Sequence, residues 1–346
     1  MAPTIELKVE DAKELLEEVF TNAGYKCEDA VRISAHLIDA ELRGYGVAGL
    51  SRALSVLEFI KAGIIKVGKT TVESRTASSA SLDGHNGLGY VVAYEATQLA
   101  IDIARENGVA VVAAKNTASL HSTRMIFTGM LSYWAEMATA NDLVAVISSS
   151  TNACASPAGT TQALLGTNPF CIALPSSDIP IIYDIGTSSS TYGEIRMCQR
   201  VREKLRPGIA YDKAGNPTID PDKAMEGIFS VRDGPVGLGL SIVVQLLGVA
   251  AGAPALPSPA DGFGFVIMLF NPKLFGSVET YKSRIDEYVK VFTSAPRKDG
   301  QAPPRIPFAR SYQAREAAGE RGTFEVYAQV VEELEVFRNE KFAGAS

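Results

Sequence analysis

Apolar residues recur at helical spacing from the start of the chain. Ala12, Leu15, Leu16, Val19 and Phe20 share one face, and Gly24 supplies a left-handed stop. A second stripe, Val31, Ala35, Ile38 and Leu42, leaves His36 beside it, in a position that reads as a structural or surface histidine. A third helix reaches Ile60. Between the second and third lies Arg43-Gly44-Tyr45-Gly46-Val47-Ala48-Gly49-Leu50-Ser51-Arg52, which fits either a turn or an anion-binding elbow. A second glycine loop, Asp83-Gly84-His85-Asn86-Gly87-Leu88-Gly89, opens a helix striped by Val92, Ala96, Leu99 and Ile103. A strand at 109–114, a long polar connection holding His121, a helix around 133–140 and a strand at 143–147 follow. This alternation predicts an α/β fold.

The stretch 152–193 carries the densest signal. A turn (Ser156, Pro157, Ala158, Gly159) and Gly166-Thr167-Asn168-Pro169 lead into strands at 170–174 and 181–183, then Asp184 and a small polar run at 186–191. Strands that end in hydroxyls, glycine and one carboxylate fit a ligand crevice; they fit equally two core strands with ordinary turns. Beyond them come a charged segment at 194–204, a turn-rich stretch at 212–222, an apolar helix opened by Gly234-Pro235-Val236-Gly237, and a strand at 263–270. A helix striped by Val278, Tyr281, Ile285, Tyr288 and Phe292, a loop at 296–310 and a last helix at 323–337 complete the chain.

With 346 residues, 46% hydrophobic and 21% charged, the chain suits two domains or one with a large extension. Net charge is −6 with no basic stripe, which argues against nucleic acid and anionic membranes. The apolar run at 242–256 is interrupted by Gln245, Gly248 and Gly252 and reads as a buried helix and its exit, with no membrane span expected. Acids near the amino terminus stand where a signal peptide needs an apolar core, so the expected compartment is cytoplasmic. Cys27, Cys154, Cys171 and Cys198 have no paired spacing, which predicts reduced thiols and neither a disulfide framework nor a metal site.

Five motifs in order then make the chain resemble the malate/L-lactate dehydrogenase-like family of non-Rossmann NAD(P)-dependent oxidoreductases. They are Asp83-Gly84 with Asn86-Gly87 and Gly89; Tyr133-Trp134-Ala135-Glu136-Met137-Ala138; Leu165-Gly166-Thr167-Asn168-Pro169; Asp184-Ile185-Gly186-Thr187-Ser188; and the helix start at 234–240. The resemblance covers nearly the whole length. It implies a mixed-sheet α/β fold with helical N- and C-terminal parts and a homodimer. The implied division is a helical and dimerisation part at 1–115, completed by 300–346, and a cofactor-type or ligand-binding domain at 116–299. It also implies a cofactor lying against an unusual sheet. For a retained cofactor the implied positions are Thr167, Asn168, Pro175, Ser176, Thr187 and Ser188.

In that family a Ser-His-Gly-x-x-Arg motif supplies a proton donor and an arginine for the substrate carboxylate, and an aspartate completes a relay to the histidine. Here Val47 and Ala48 stand at the serine and histidine positions, while Gly49, Arg52 and Asp184 remain. Ser156 stands where the family has a substrate-contacting hydroxyl. A second family histidine falls on Ser119 or Phe127, with His121 nearby in the altered loop; the family lysine is Val236, and the late Pro-Gly-Glu is Pro307-Phe308-Ala309.

The first expectation is therefore an enzyme repurposed on this scaffold, acting without nicotinamide on a small organic molecule by a step such as cyclisation or isomerisation. Arg52 and Ser156 would bind substrate, and Asp184, Tyr45 and His121 would move protons. Burial without a histidine partner is expected to raise the pKa of Asp184. The alternative is an NAD- or NADP-dependent reductase of a 2-oxo acid, imine or related carbonyl with a substituted donor; a second alternative is a non-catalytic binding protein.

Overall fold

A computed structural model describes residues 2–117, 128–157, 159–232, 234–256, 264–340 and 342. The chain opens with β1 (Thr4–Lys8) and three helices, α1 (Val9–Asn22), α2 (Cys27–Leu42) and α3 (Leu50–Lys61), the last two joined by a 3-10 turn at Gly46–Ala48. Then come β2 (Thr71–Arg75), β3 (Ser79–Gly87), α4 (Gly89–Asn107), β4 (Val109–Thr117), α5 (Leu131–Thr139) and β5 (Val144–Ser149). The middle holds β6 (Ala155–Ser156), β7 (Phe170–Leu174), β8 (Ile181–Ile185), α6 (Tyr192–Val201), β9 (Ala210–Tyr211), α7 (Pro221–Glu226), β10 (Ile228–Ser230) and α8 (Gly234–Leu247). The rest is β11 (Phe265–Phe270), α9 (Val278–Thr293), α10 (Ala309–Arg321), β12 (Thr323–Tyr327) and α11 (Ala328–Asn339).

Seven strands form one mixed sheet in the order β2-β3-β4-β11-β5-β7-β8, in which only the β3/β4 pair is parallel. The boundary expected between residues 115 and 116 falls inside β4, so the sheet takes strands from both sides of it. The glycine loop at 83–89 is mostly strand: β3 runs to Gly87, with His85 and Asn86 in left-handed backbone and Asp83 accepting the His85 amide (2.8 Å) and the Asn116 side-chain amide (2.9 Å). The charged segment read at 194–204 is largely the helix α6.

Strand alternation sends Val112, Ile267, Ile147 and Cys171 to one face, all buried beneath α4 and α5. On the other face one register row, Val111-Met268-Val146-Ile172-Tyr183, crosses five strands. Val111, Ile172 and Tyr183 are exposed. The helix α8 continues through a second 3-10 turn, so Gly234–Ala251 is one rod, long and apolar enough by length and composition to cross a membrane, where the sequence suggested a shorter, buried run. A third of it is buried. Its buried side is partly polar: Ser241 and Gln245 hold the Asn168 side-chain amide at 3.0–3.3 Å, which fastens the rod to the turn before β7.

The terminal segments close on one another. Antiparallel pairing of β1 with β12 brings α11 onto α1 and α3, and Val330 and Leu334 complete the apolar core begun by Leu16, Val19, Leu54 and Leu57. An ion-pair network seals the junction with the sheet layer. Arg43 at the end of α2 is almost wholly buried and binds Asp39 (2.5 Å) and Glu136 of α5, while Arg315 of α10 binds Asp39 (3.1 Å) and both Glu136 oxygens (2.8 Å).

Two cations and two carboxylates balance, so removing one leaves a buried charge without its counterpart. Glu136→Ala is expected to lose about 3 kcal/mol in urea unfolding. Breaking the largely exposed Lys61–Glu340 pair (2.7 Å) is expected to cost less than about 1 kcal/mol. Equal costs for the two would show that the network is not a stabilising junction.

Candidate active site

The glycine-rich segment after α2 is shaped by a carboxylate beneath it. Glu41, in the last turn of α2, is buried; its Oε1 accepts the backbone N–H of Leu50 at 2.6 Å and so caps the start of α3. Its carboxylate lies directly under Gly49, where any side chain would collide with it. Val47 and Ala48 on the 3-10 turn are half-buried, and they share one cavity wall with Arg52 from the first turn of α3.

Arg52 forms part of a cavity of about 260 Å³. Val47, Ala48, Tyr90, Met130 and Tyr192 supply apolar wall, and Thr128, Thr151, Thr167 and Thr191 supply hydroxyls. Gly193, at the start of α6, passes so close that any side chain there would run into the guanidinium. Burial lowers the Arg52 pKa; the nearby Tyr90 opposes this and Arg196 adds to it. Thr151 and Thr167 are knitted together: the Thr167 amide donates to Thr151 Oγ1 (2.7 Å) and the two hydroxyls lie 3.2 Å apart.

The wall at 128–130 has its own support. His36, fully buried, accepts the Met130 amide on Nε2 (3.0 Å), and its ring packs on Tyr90, Tyr133 and Trp134 at 4.6–5.2 Å between centroids. Burial pushes its pKa down to about 3, so the ring is neutral and acts as an acceptor. It is a structural histidine, packed behind the cavity wall.

A wider cleft of about 780 Å³ adjoins the cavity and shares Val47, Ala48, Met130, Gly186 and Thr191 with it. Tyr45 and Asp184 meet there, together with Ser132, Tyr183, Phe308, Arg305 and Arg310. Asp184 Oδ2 accepts the Ser132 amide (2.8 Å) at the start of α5, a helix-capping role. Although Asp184 keeps surface open to the cleft, the protein around it raises its pKa by desolvation, against the lowering effect of hydrogen bonds from Ser132 and Leu131. The open surface limits the size of that shift but not its direction.

The structure thus divides the residues singled out in the sequence. Arg52 and Thr167 line the cavity, and Tyr45 and Asp184 line the cleft beside it. Thr187 donates to the Thr167 carbonyl (3.1 Å) and Ser188 to that of Ser190 (2.5 Å), while Asn168 anchors α8. Pro175 and Ser176 lie at the opposite end of the β7–β8 hairpin, where Ser176 donates to the Ile179 carbonyl (2.8 Å). Ser156 belongs to a separate cavity of about 600 Å³ with Tyr211 and Ser230, and its hydroxyl is held at 2.6 Å by the Thr160 carbonyl. His121, with Ser119 and Phe127, lies outside the described residues. Missing from the sequence analysis were Tyr90, Tyr192, Thr128, Thr151 and Thr191. They come from four separate segments, and no local spacing announces them. Among the described residues no group of three or more acidic, histidine or cysteine side chains is placed to hold a metal ion.

Glu41 makes the site's framework sensitive to pH. Burial raises its pKa to about 7 from 4.5, against the pull of the Leu50 amide. The folded chain therefore keeps a proton that the unfolded carboxyl has lost between those values, and stability falls as pH rises through that window. Relative to the parent, Glu41→Gln should gain roughly 3 kcal/mol between about pH 5 and pH 8 in urea unfolding. Parallel pH dependence in the two proteins would contradict this.

Comparison with known proteins agrees with this architecture. The chain is 30% identical over 295 residues to the malate/(S)-sulfolactate dehydrogenase of Methanothermus fervidus, a match that covers 82% of this chain and 85% of that one. It is 27% identical to the Delta(1)-pyrroline-2-carboxylate reductase of Ancylobacter novellus over 93% and 94% of the two chains. The crystal structure of a dehydrogenase from Sinorhizobium meliloti superposes with a TM-score of 0.87 at 27% identity, covering 97% of this chain and 99% of that one. A family model described as malate/L-lactate dehydrogenase matches residues 7–335, and with a match of that extent the chain belongs to the malate/L-lactate dehydrogenase family.

Proposed function

We propose that the protein is an NAD(P)H-dependent reductase of a small 2-oxo acid, cyclic imine or related carbonyl, the alternative that the sequence held behind a non-redox step. The observation that carries this reading is the Arg52 cavity: one guanidinium in a small chamber whose walls are otherwise apolar or hydroxylic. That is the chemistry required by a compact substrate with one carboxylate and a reducible carbon beside it. Relatives across the family are named as dehydrogenases and reductases, among them enzymes named for malate, sulfolactate and a pyrroline carboxylate, and this supports redox chemistry over cyclisation or isomerisation.

The adjoining cleft fits a dinucleotide. Arg305 and Arg310 are exposed on it and make no ion pair with a described residue, and the first turn of α10 opens beside them. Cations and free helix amides are what a pyrophosphate requires. Thr167, Thr187 and the turn at 186–191 would line the passage between the two chambers. When bound, the cofactor supplies a hydride; the protein positions the acceptor carbon, grips the carboxylate through Arg52 and excludes water with Val47, Ala48 and Met130. Asp184 holds the start of α5 and presents its carboxyl, whose pKa is raised by desolvation, to the cleft.

A homodimer completes this reading. It would cover the apolar row Val111-Met268-Val146-Ile172-Tyr183 and the outer face of α8, where Val243 and Leu246 are each more than half exposed. A second reading keeps the non-redox step, and a specific observation favours it: Val47 and Ala48 stand on the cavity wall where the family has its serine and histidine.

Calorimetric titration with NADPH, NADH and oxamate, a carboxylate analogue of a 2-oxo acid, decides between them. The reductase reading expects saturable binding of one nicotinamide cofactor and of oxamate, with Arg52→Ala weakening oxamate by roughly 10- to 100-fold. Oxamate bound equally by the parent and the Arg52→Ala variant, or neither cofactor bound at millimolar concentration, would remove it.

A further inference from the structure

The structure assigns the missing proton donor: we propose that the Tyr90 hydroxyl protonates the heteroatom of the substrate held by Arg52, so that Tyr90 is a catalytic residue of this chain. The proposal deepens the reductase reading and rests on it.

Four observations converge on Tyr90. It is the second residue of α4, it is 1% exposed, and it lines the same 260 Å³ cavity as Arg52, whereas Tyr45 and Asp184 line the cleft outside. Its ring is fixed against His36 at 4.6 Å between centroids, and His36 is itself held by the Met130 amide, so the phenol is carried on a rigid support. Its hydroxyl makes no hydrogen bond to a described residue, and its oxygen keeps a little open surface on the cavity that the residue lines. Finally, it interacts electrostatically with Arg52, which favours the phenolate while burial disfavours it, and the net result holds the phenol up at about 12.

Those features suit an acid. In the reduction, the carbonyl or imine carbon takes a hydride from a dihydronicotinamide, which is oxidised to the nicotinamide cation. The π pair moves onto the oxygen or nitrogen, and the Tyr90 O–H bond breaks to give that atom its proton. The phenolate left behind faces Arg52, which stabilises it until solvent returns the proton. Among the described residues, His36 is neutral behind the ring with Tyr133 and Arg43 acting on it, Tyr192 of α6 lines the same cavity, and Arg196 of α6 acts on Arg52. A tyrosine reached from α4 thus takes over the task of an imidazole on the 46–48 turn, where valine and alanine now leave room for substrate.

The test compares the parent protein with Tyr90→Phe, which keeps the ring and removes only the hydroxyl. With a panel of 2-oxo acids and cyclic imine carboxylates, kcat of the variant is expected to fall about a hundredfold or more while KM rises by no more than about tenfold. The parent's reduction rate is expected to stay level across neutral and mildly alkaline pH, because a phenol remains protonated there; a histidine donor would make it fall from about pH 6.5. Calorimetry with oxamate supplies a readout independent of turnover, with Tyr90→Phe weakening it by roughly three- to tenfold through loss of one hydrogen bond. Arg52-dependent oxamate binding with unchanged affinity and kcat in Tyr90→Phe would overturn the assignment and leave the reductase reading intact. Absence of Arg52-dependent binding in the parent would overturn both.

Discussion

Four charges from three helices hold the two halves of this molecule in register. Asp39 and Arg43 of α2, Glu136 of α5 and Arg315 of α10 neutralise one another where the helical layer meets the sheet layer. Because Arg43 is also the residue from which the chain turns into the 44–49 segment, the network fixes where that segment starts. Glu41, two residues earlier, fixes where it ends by capping Leu50. The placement of Arg52 follows from those two anchors. The site is therefore built by polar contacts at its edges, with apolar packing behind.

A neutral histidine performs a comparable service on the opposite wall. His36 accepts the Met130 amide and stacks on three aromatic rings, one of which, Tyr90, faces the cavity. Its fully buried ring shows how a polar side chain can be used for rigidity: a neutral acceptor loses less on desolvation than a cation would, and it satisfies a backbone donor that would otherwise be orphaned.

Much of the fold was legible in the sequence because it depends on periodicity. The stripes of α1 and α4 and the apolar strands β5 and β7 could be read from the sequence, and the order of motifs implied the mixed sheet; on α2 the expected stripe was misplaced, since Val31 and Ala35 are exposed and Ile33, His36, Leu37 and Ala40 are buried instead. The sheet neighbours of β4 were harder to read, because its pairing with β3 and β11 depends on partners 30 and more residues away. The site was legible only in part. Arg52, Asp184, Tyr45 and Thr167 belong to motifs, and the structure puts them in two connected chambers. Tyr90 and Tyr192 enter the cavity from helices whose local pattern is that of ordinary core, and only the tertiary packing turns them toward Arg52. Ser156 looked like a site hydroxyl by position, yet its hydrogen bonds are spent on the turn at 156–160.

The pairing of β1 with β12 has a consequence for how the protein comes into being. The seat on α1 and α3 that α11 fills stays open while the intervening chain is made, and Leu16, Val19 and Leu54 wait beside it. At ribosomal speed, that interval is on the order of tens of seconds. Closure of the helical layer is therefore a late event dominated by contacts between distant parts of the chain, the kind that folds slowly. During that interval the nascent chain carries an apolar surface that the finished molecule hides, and the cell's chaperones would meet it there.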